Sequence, residues 1–273
     1  MEIDGCALVF GGARGIGRAC ALAFARFGAR RVLVADLDYA AACVVAENCQ
    51  AIASNPDFQA EGALVDVCSE ESVSQITARA AQTFGRIDYC VNSAGLGVQN
   101  PREIAEANVA EFNQLLQTNV TGTFLVTKCA SATMKSQDPR PNYPSAPERG
   151  LTRGSIVNLG SASSFASTPS MVQYTTSKFA VLGLTKNSAL DNAAHGIRVN
   201  CVCPSWVDTP MIKQAIADIP SLKDQINSAV PLGRIASADE VADAVIFLCS
   251  PRSSYITGSG LIIDGGTTLT SHA

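Results

Sequence analysis

The sequence predicts an α/β fold: a doubly wound parallel sheet of seven strands, with helices on both faces, formed as a single domain. Two observations predict it. Short apolar runs alternate with longer helical stretches along all 273 residues, as expected where crossover helices join parallel strands. A glycine-rich turn follows the first apolar run and opens the first helix, the place such a turn takes in a doubly wound sheet. No linker or internal repeat divides the chain, and 47% of its residues are hydrophobic, enough for one large core.

Apolar periodicity and turn residues bound each predicted element. Ser237 and Glu240 form a capping box that predicts the start of the last helix. Strands are predicted at Cys6–Phe10, Val32–Ala35, Ala63–Val65, Tyr89–Val91, Ile156–Leu159, Val199–Cys203 and Leu261–Ile263. Helices are predicted at Arg18–Phe27, Tyr39–Ala53, Ser72–Phe84, Ala110–Met134, Met171–Ala194 and Asp239–Cys249. The segment 136–154 has four prolines and no periodicity, so we expect an exposed surface insertion without a function of its own.

Composition limits the partners and the compartment. The net charge of −4 and the lack of a basic cluster argue against nucleic acid or an anionic membrane as partner. No apolar run approaches the length of a bilayer span, and the first residues carry no cationic signal segment, so a cytoplasmic protein is expected. The ten cysteines include no Cys-x-x-Cys and only two histidines accompany them, which predicts reduced, mostly buried thiols and no metal site.

The turn Gly11-Gly12-Ala13-Arg14-Gly15-Ile16-Gly17 predicts a phosphate-binding site. Glycines at 11, 15 and 17 allow a sharp turn, and they bring backbone N–H groups close to a pyrophosphate at the helix N-terminus. The turn follows a strand and opens a helix, which is the context that this interpretation requires. A purely structural glycine turn is the alternative.

The residue that ends the second strand bears on the choice of dinucleotide. Asp36 lies nineteen positions after Gly17, where a carboxylate can accept hydrogen bonds from an adenosine ribose and repel a 2′-phosphate. This favours NAD over NADP. Arg14 argues the other way, because its guanidinium could reach a 2′-phosphate, but Leu37 supplies no second cation.

Tyr174 and Lys178 are four residues apart in a predicted helix, so both side chains lie on one face, one turn apart. A phenol is a poor proton carrier near neutral pH, and an ammonium group one turn away favours the phenolate. The pair is therefore a candidate proton-transfer site. An ordinary amphipathic helix face is the alternative for the pair taken alone.

Together with these motifs, Asn92-Ser93-Ala94-Gly95 makes the chain resemble the short-chain dehydrogenase/reductase family, with its single-domain Rossmann fold. The resemblance runs from Ala7 to Gly266, and Ser161 precedes Tyr174 by the family's thirteen positions. It implies a catalytic set of Asn119, Ser161, Tyr174 and Lys178. It implies cofactor contacts from Gly11, Arg14, Gly15, Ile16, Gly17, Asp36, Leu37, Asp66, Val67, Asn92, Ala94, Gly95, Tyr174, Lys178, Pro204, Val207, Thr209 and Met211.

The resemblance also implies a role for each catalytic residue. Tyr174 would be the general acid and base on the substrate oxygen, and Lys178 would hold the nicotinamide ribose and favour the tyrosinate. Ser161 would hydrogen-bond the substrate oxygen, and Asn119 would anchor a water that relays the proton towards solvent. Four positions depart from the usual family residue. Phe10 stands where the family usually has Thr, and Ser93 stands where a second Asn is common. Gly160 stands where a second Ser is frequent, and Ser205 stands where Gly is usual. The first two departures put in doubt the usual side-chain bond between the glycine turn and the fourth strand.

The expected activity is reversible hydride transfer between NAD and a secondary alcohol or ketone. The resemblance implies that residues 205–235 form a mobile lid over the substrate. This segment carries an apolar stripe at Met211, Ile212, Ile216, Ile219, Leu222 and Ile226, which Pro220 interrupts. Ordinary core packing is the alternative for this stripe. Because this stripe, Phe165 and Trp206 are apolar, we expect a hydrophobic substrate. Examples are polycyclic alcohols of the terpenoid, steroid or polyketide type. The resemblance further implies a homo-oligomer, a dimer or tetramer paired through the two long helices. Two alternatives stay open: an NADPH-dependent ketoreductase of a biosynthetic pathway, and a dinucleotide-binding protein without turnover.

Overall fold

The computed structural model describes residues 3–143, 145–218 and 221–269, and over these residues the chain folds around one seven-stranded parallel sheet. The predicted fold class is confirmed. The strands are β1 (Cys6–Phe10), β2 (Arg31–Asp36), β3 (Gln59–Leu64), β4 (Tyr89–Asn92), β5 (Arg140–Pro141), β6 (Leu151–Thr152), β7 (Gly154–Leu159), β8 (Ile197–Pro204) and β9 (Gly260–Ile263). The sheet has the order β3-β2-β1-β4-β7-β8-β9, while β5 and β6 form a separate antiparallel pair.

Helices cover both faces of the sheet. The α-helices are α1 (Gly15–Arg26), α2 (Tyr39–Ile52), α3 (Glu70–Phe84), α4 (Val109–Leu115), α5 (Gly122–Lys135), α6 (Val172–Ala193), α7 (Pro210–Asp218), α8 (Leu222–Ala229) and α9 (Ala238–Cys249). Helices α1, α2 and α9 pack on one face around a core that includes Phe24 and Val245. Helices α3, α5 and α6 pack on the other face around Val73, Met134 and Ala189. The two apolar cores hold the sheet between them, as the continuous apolar runs of the central strands require.

The order of the strands places a crevice at one edge of the sheet. The chain runs outward from β1 through β2 to β3, then returns to β4 on the other side of β1. The loops that leave β1 and β4 therefore diverge, and ligands of doubly wound sheets bind at this point, outside the carboxyl ends of the strands. Phe10 pairs with Ala35 and Asn92 in register, so the ends of β1, β2 and β4 lie side by side.

The predicted helix Ala110–Met134 is wrong as a continuous α-helix. The structure divides it into α4 and α5, joined by a π-helical turn at Leu116–Thr121. The turn inserts one extra residue into the helical path, and Asn119 within it is buried and bonded to neighbouring segments. Apolar periodicity tolerates such an insertion, so the pattern alone did not reveal it.

Two further boundaries differ from the prediction. Strand β3 begins at Gln59 rather than Ala63, because it is an edge strand whose first half is polar and only half-buried, which weakens its apolar signal. The segment 136–154 is not wholly irregular, since it contains the β5–β6 pair, and Gly154 already belongs to β7. The capping box at the start of α9 is confirmed: Ser237 Oγ accepts from Glu240 N, and Glu240 Oε2 accepts from Ser237 N.

Candidate active site

A cavity of about 610 Å³ lies at the carboxyl edge of the sheet, between the loops after β1, β4 and β8. This volume falls within the range of roughly 300–1,000 Å³ typical of cofactor and small-molecule sites. Sixteen of the eighteen predicted cofactor-contact residues line it: Gly11, Arg14, Gly15, Ile16, Asp36, Leu37, Asp66, Val67, Ala94, Gly95, Tyr174, Lys178, Pro204, Val207, Thr209 and Met211. The other two, Gly17 and Asn92, lie behind its wall. The sequence did not single out Gln114 or Thr118, which also face the cavity from the region of the π turn.

The glycine turn is packed so closely that side chains are excluded from it. Gly11 has a φ of +68°, and a Cβ there would lie 2.5 Å from the backbone nitrogen of Ala94. A Cβ on Gly17 would overlap the backbone of Gly11. The first turn of α1 therefore rests directly on the loop after β1, with its free N–H groups at the cavity. This cradle fits a pyrophosphate.

Two carboxylates lie at the end of β2: Asp36 is its last residue and lines the cavity where an adenosine ribose is expected, and Asp38 is two positions further on. Asp36 Oδ2 accepts from Ala13 N at 2.9 Å and Oδ1 accepts from Asp38 N at 3.0 Å. These bonds fix the carboxylate of Asp36 beside the glycine turn. Arg14, the residue that argues for NADP, forms an ion pair with Asp38, with 2.7 Å between Nη2 and Oδ2. The backbone N–H of Ala41 and then the Arg14 guanidinium hold the pKa of Asp38 below its usual value.

The residues at positions 10 and 93 put in doubt a side-chain bond between the glycine turn and β4. Phe10 is fully buried and belongs to the core, so it makes no side-chain bond to the glycine turn. A main-chain bond joins the two segments instead, because Ser93 N donates to Phe10 O at 2.9 Å. Asn92 Nδ2 donates to Thr123 Oγ1 and its Oδ1 accepts from Ala94 N, so this residue shapes the loop from behind.

Tyr174 and Lys178 face the cavity from the first turns of α6. The Lys178 Nζ lies 5.5 Å from the centroid of the Tyr174 ring and donates to Leu159 O at 2.8 Å. Lys178 is 6% exposed, so its ammonium is held at the floor of the cavity rather than in solvent. The helical spacing thus brings the phenol and the ammonium to the same cleft as the glycine turn.

Ser161 lies just after β7, where it caps a short 3₁₀ helix. Its Oγ accepts from Ser163 N at 3.1 Å. Ser164 Oγ accepts from Ser161 N and donates to Lys178 O, which ties this corner to α6. Ser161 is 8% exposed and does not belong to the cavity lining, so it lies at the edge of the site.

Asn119 also lies behind the cavity. Its Oδ1 accepts from Leu96 N at 2.8 Å, while its Nδ2 donates to Leu96 O at 3.0 Å and to Ser177 Oγ at 3.0 Å. The side chain therefore joins the loop after β4 to α6. Its main-chain oxygen accepts from Thr123 Oγ1.

The segment 205–235, which is expected to form a lid, contains α7 and α8, with Ile219 and Pro220 outside the described residues. Helix α7 buries none of its side chains, and Met211 is 50% exposed at the mouth of the cavity. Its sulfur would lie 2.8 Å from a Cβ on Gly97, so the lid and the loop after β4 are in contact. Ile226 of α8, by contrast, is buried. The predicted stripe is therefore core packing at Ile226 and open surface at Met211.

Among the described residues, no helix combines the length and apolar character that a membrane span requires, and no three His, Cys, Asp or Glu side chains are grouped as metal ligands. All ten cysteines are described and carry free thiols, seven of them buried.

A doubly wound sheet with a glycine cradle at its switch point, and a tyrosine and lysine in the same cleft, define a dinucleotide-dependent oxidoreductase. Sequence comparison agrees with this class. Residues 11–268 match the family described as "Enoyl-(Acyl carrier protein) reductase". The chain is 61% identical over 272 residues to "Short-chain dehydrogenase srdC" of Neurospora crassa, covering 100% of both. It is 36% identical over 261 residues to "2,5-dichloro-2,5-cyclohexadiene-1,4-diol dehydrogenase" of Sphingobium indicum, covering 96% of each.

A short-chain type dehydrogenase/reductase from Mycobacterium ulcerans has the same fold, with a TM-score of 0.87 over 98% of this chain and 92% of that one at 24% identity. The chain belongs to the short-chain dehydrogenase/reductase family. It is an oxidoreductase that acts on CH–OH groups, and the family binds nicotinamide dinucleotides.

Proposed function

We propose that this protein interconverts a secondary alcohol and a ketone with NAD, on a hydrophobic substrate. The observation that carries the proposal is the shared cleft, in which Tyr174 and Lys178 face the glycine turn across one cavity. The Lys178 Nζ lies 5.5 Å from the centroid of the Tyr174 ring, so the ammonium group and the phenol share one part of the cavity. A bound nicotinamide ring supplies a hydride acceptor for alcohol oxidation and a hydride donor for ketone reduction.

The chain's own residues move the proton and hold the substrate oxygen. In oxidation, the Tyr174 phenolate takes the hydroxyl proton, and in reduction the phenol returns it. Ser161 uses an Oγ lone pair to accept from Ser163 N, which leaves its hydroxyl hydrogen for the substrate oxygen. The side chain of Asn119 is engaged by Leu96 and Ser177, so we propose that a relay water is held at its main-chain oxygen, which also accepts from Thr123 Oγ1.

The preference for NAD rests on the charges beside the ribose position. Asp36 and Asp38 lie within two residues of each other after β2, and Arg14 is paired with Asp38. A 2′-phosphate would meet the Asp36 carboxylate with no free cation from Leu37 to offset it, because Leu37 is apolar and 70% exposed. One observation favours the NADPH-dependent ketoreductase as second candidate. The Arg14 side chain is 68% exposed, and its surface pair is weak enough to open.

A binding titration separates the two cofactor hypotheses. Trp206, the single tryptophan, lies next to the cavity-lining Val207, so quenching of its fluorescence can report binding. We expect NAD⁺ to bind at least about tenfold more tightly than NADP⁺, and we expect the double change Asp36→Ser with Leu37→Arg to reverse the order. Asp57→Ser, at an exposed aspartate of the loop between α2 and β3, serves as the control for the lost charge. Tighter binding of NADP⁺ by the unmodified protein would refute the preference.

The cavity mouth supports a hydrophobic substrate. Met211 lines the cavity there, is 50% exposed and is apolar. The Sphingobium relative is named for a cyclic diol, which favours a cyclic alcohol here too. Polycyclic terpenoid, steroid or polyketide alcohols fit this description. A kcat/KM that is higher for a small hydroxy acid than for a cyclic secondary alcohol would contradict this part of the proposal.

We also propose that residues 205–235 close over the substrate and that the protein is a homo-oligomer. The unburied side chains of α7 support a lid, because a helix with few buried contacts opens at low free-energy cost.

Phe124 on α5 and Phe179 on α6 are 51% and 47% exposed, which supports pairing through these helices in a homo-oligomer. Ser177, a small residue of α6, is fully buried and bonded to Asn119, so it serves internal packing.

A further inference from the structure

A buried glutamate lies between the two segments that carry the reacting groups. Glu111, in the first turn of α4, is 9% exposed. Its Oε1 accepts from Gln99 N at 2.6 Å and from Asn100 N at 3.3 Å. Its Oε2 accepts from Gln173 Nε2 at 3.3 Å. All three partners are donors that lie outside α4, which is the arrangement that suits a carboxylate.

These bonds connect the loop after β4 to the residue just before Tyr174. The loop contributes Leu96 to the cavity wall, and Gly97 contacts Met211 of the lid. Gln173 is fully buried and immediately precedes the proposed proton carrier. Glu111 thus joins this loop to the residue just before Tyr174, whereas Asn119 joins it to α6 one turn further on, at Ser177.

A purely structural role would be to place a negative charge at the N-terminus of α4, where the helix dipole favours it. That role needs neither burial nor bonds beyond the helix, and the exposed Glu106 nearby could satisfy it. A second observation concerns Gln173. Its Oε1 has no partner among the described residues, so Glu111 supplies the hydrogen bond that the structure gives to this amide.

We propose that Glu111 is a positioning residue: its carboxylate, through Gln99, Asn100 and Gln173, holds the substrate-side loop at a fixed distance from Tyr174. This inference rests on the proposed function, because positioning matters only if Tyr174 exchanges a proton with substrate. A displacement of about 1 Å in such a site can lower the rate by about 100-fold. Arg102 N donates to Ser170 O at 3.2 Å and joins the same two segments further out, so the loop stays attached when Glu111 is removed.

The test uses an exchange of the two side chains. Glu111→Ala removes the link, and Gln173→Glu sets two carboxylates against each other. Each change should lower kcat about tenfold or more while the Kd for NAD⁺ changes less than twofold, since Gln99, Asn100 and Gln173 do not line the cavity. The double change Glu111→Gln with Gln173→Glu restores an amide–carboxylate pair with the roles reversed. We expect it to recover kcat to within about threefold of the unmodified protein.

Amide hydrogen exchange of the protein without cofactor or substrate gives a second readout. The N–H groups of Gln99 and Asn100 should exchange at least about tenfold faster in Glu111→Ala, and they should be protected again in the double variant Glu111→Gln with Gln173→Glu. Glu106→Ala, which removes an exposed carboxylate, is the matched control and should leave both kcat and exchange unchanged.

Three results would each overturn the inference. They are unchanged kcat and KM in Glu111→Ala, unchanged amide hydrogen exchange at residues 99 and 100 in that variant, and no recovery of kcat in the double variant Glu111→Gln with Gln173→Glu. If Glu111→Ala does not fold, Gln173→Glu and the double exchange still decide it. If the unmodified protein oxidises no alcohol, the proposed function fails instead, and the exchange measurement still tests the link itself.

Discussion

Gly160, one of the four positions where the sequence departs from the expected family pattern, is explained by its surroundings. A Cβ at this position would lie 2.7 Å from Cys201 Sγ and 2.8 Å from Cys203 Sγ, whose sulfurs are 3.6 Å apart beneath it. The two thiols fill the space that a side chain would need. Because Gly160 lines the cavity next to Ser161, this packing also sets the floor of the site.

We therefore predict that Gly160→Ser destabilises the protein by about 1–3 kcal/mol, the usual range for overpacking a buried site. The free energy of unfolding in urea measures the effect. Adding Cys201→Ala and Cys203→Ala should recover most of the loss, because these changes remove the sulfurs that the new side chain meets. A Gly160→Ser variant as stable as the unmodified protein would show that the floor has room to spare.

At the residue level, the sequence predicted the groups whose partners lie close along the chain. Tyr174 and Lys178 are related by helical spacing, and Asp36 by its distance from the glycine turn, so local pattern was sufficient for them. The sequence did not predict a role for Glu111, because its hydrogen-bond partners are Gln99, Asn100 and Gln173, which only the folded chain brings together. Nothing in the sequence around it distinguishes a buried carboxylate from the exposed one at Glu106.

At the level of elements, helix α9 shows how local chemistry fixes both ends of a helix. The capping box of Ser237 and Glu240 satisfies free N–H groups at its start. At its end, the buried Arg198 guanidinium donates to Leu248 O at 2.7 Å and to Cys249 O at 3.2 Å. Burial lowers the pKa of Arg198, and the carbonyl oxygens at the negative end of the helix offset that cost.

The start of α9 predicts a pH dependence. The side-chain bond from Arg234 and then the Ser237 N–H lower the pKa of Glu240 from 4.5 to about 2. A carboxyl group with a lowered pKa in the folded state stabilises the fold above its unfolded pKa, and this contribution is lost as the pH falls from about 4.5 towards 2. Because the pair is exposed to salt screening, we expect Glu240→Gln to lower the Tm by only about 1–3 °C at pH 7.

The difference in Tm between Glu240→Gln and the unmodified protein should shrink steadily below pH 4.5. Glu148→Gln, at an exposed glutamate of the segment 136–154, is a control for the change in net charge. A difference that stays constant or widens as the pH falls would contradict the assignment.

The π turn at Leu116–Thr121 marks the limit of element prediction from the sequence. The apolar pattern from Ala110 to Met134 fitted one helix, and it gave no sign of the extra residue that lets Asn119 reach Leu96 and Ser177. The sheet strands were easier, because buried apolar runs bounded by turns leave few alternatives. The exception is β3, whose polar edge residues hide its start.

At the level of the whole molecule, the strand order puts the glycine turn, the loop after β4, α6 and the start of α7 around one cavity. The same arrangement leaves Phe124 and Phe179 on the outer surface of α5 and α6. We predict a dimer or tetramer by sedimentation equilibrium, and smaller species for Phe124→Glu with Phe179→Glu. A monomeric unmodified protein at micromolar concentration would contradict the proposed oligomer.

The most direct test of the central claim compares Tyr174→Phe with the unmodified protein in NAD⁺-dependent oxidation of a cyclic secondary alcohol. The substitution removes only the phenolic oxygen and leaves the ring beside Lys178. We predict that kcat falls at least about 100-fold, as expected for loss of a general acid and base, while the Kd for NAD⁺ changes less than twofold. A kcat within tenfold of the unmodified protein would show that the proton travels by another route.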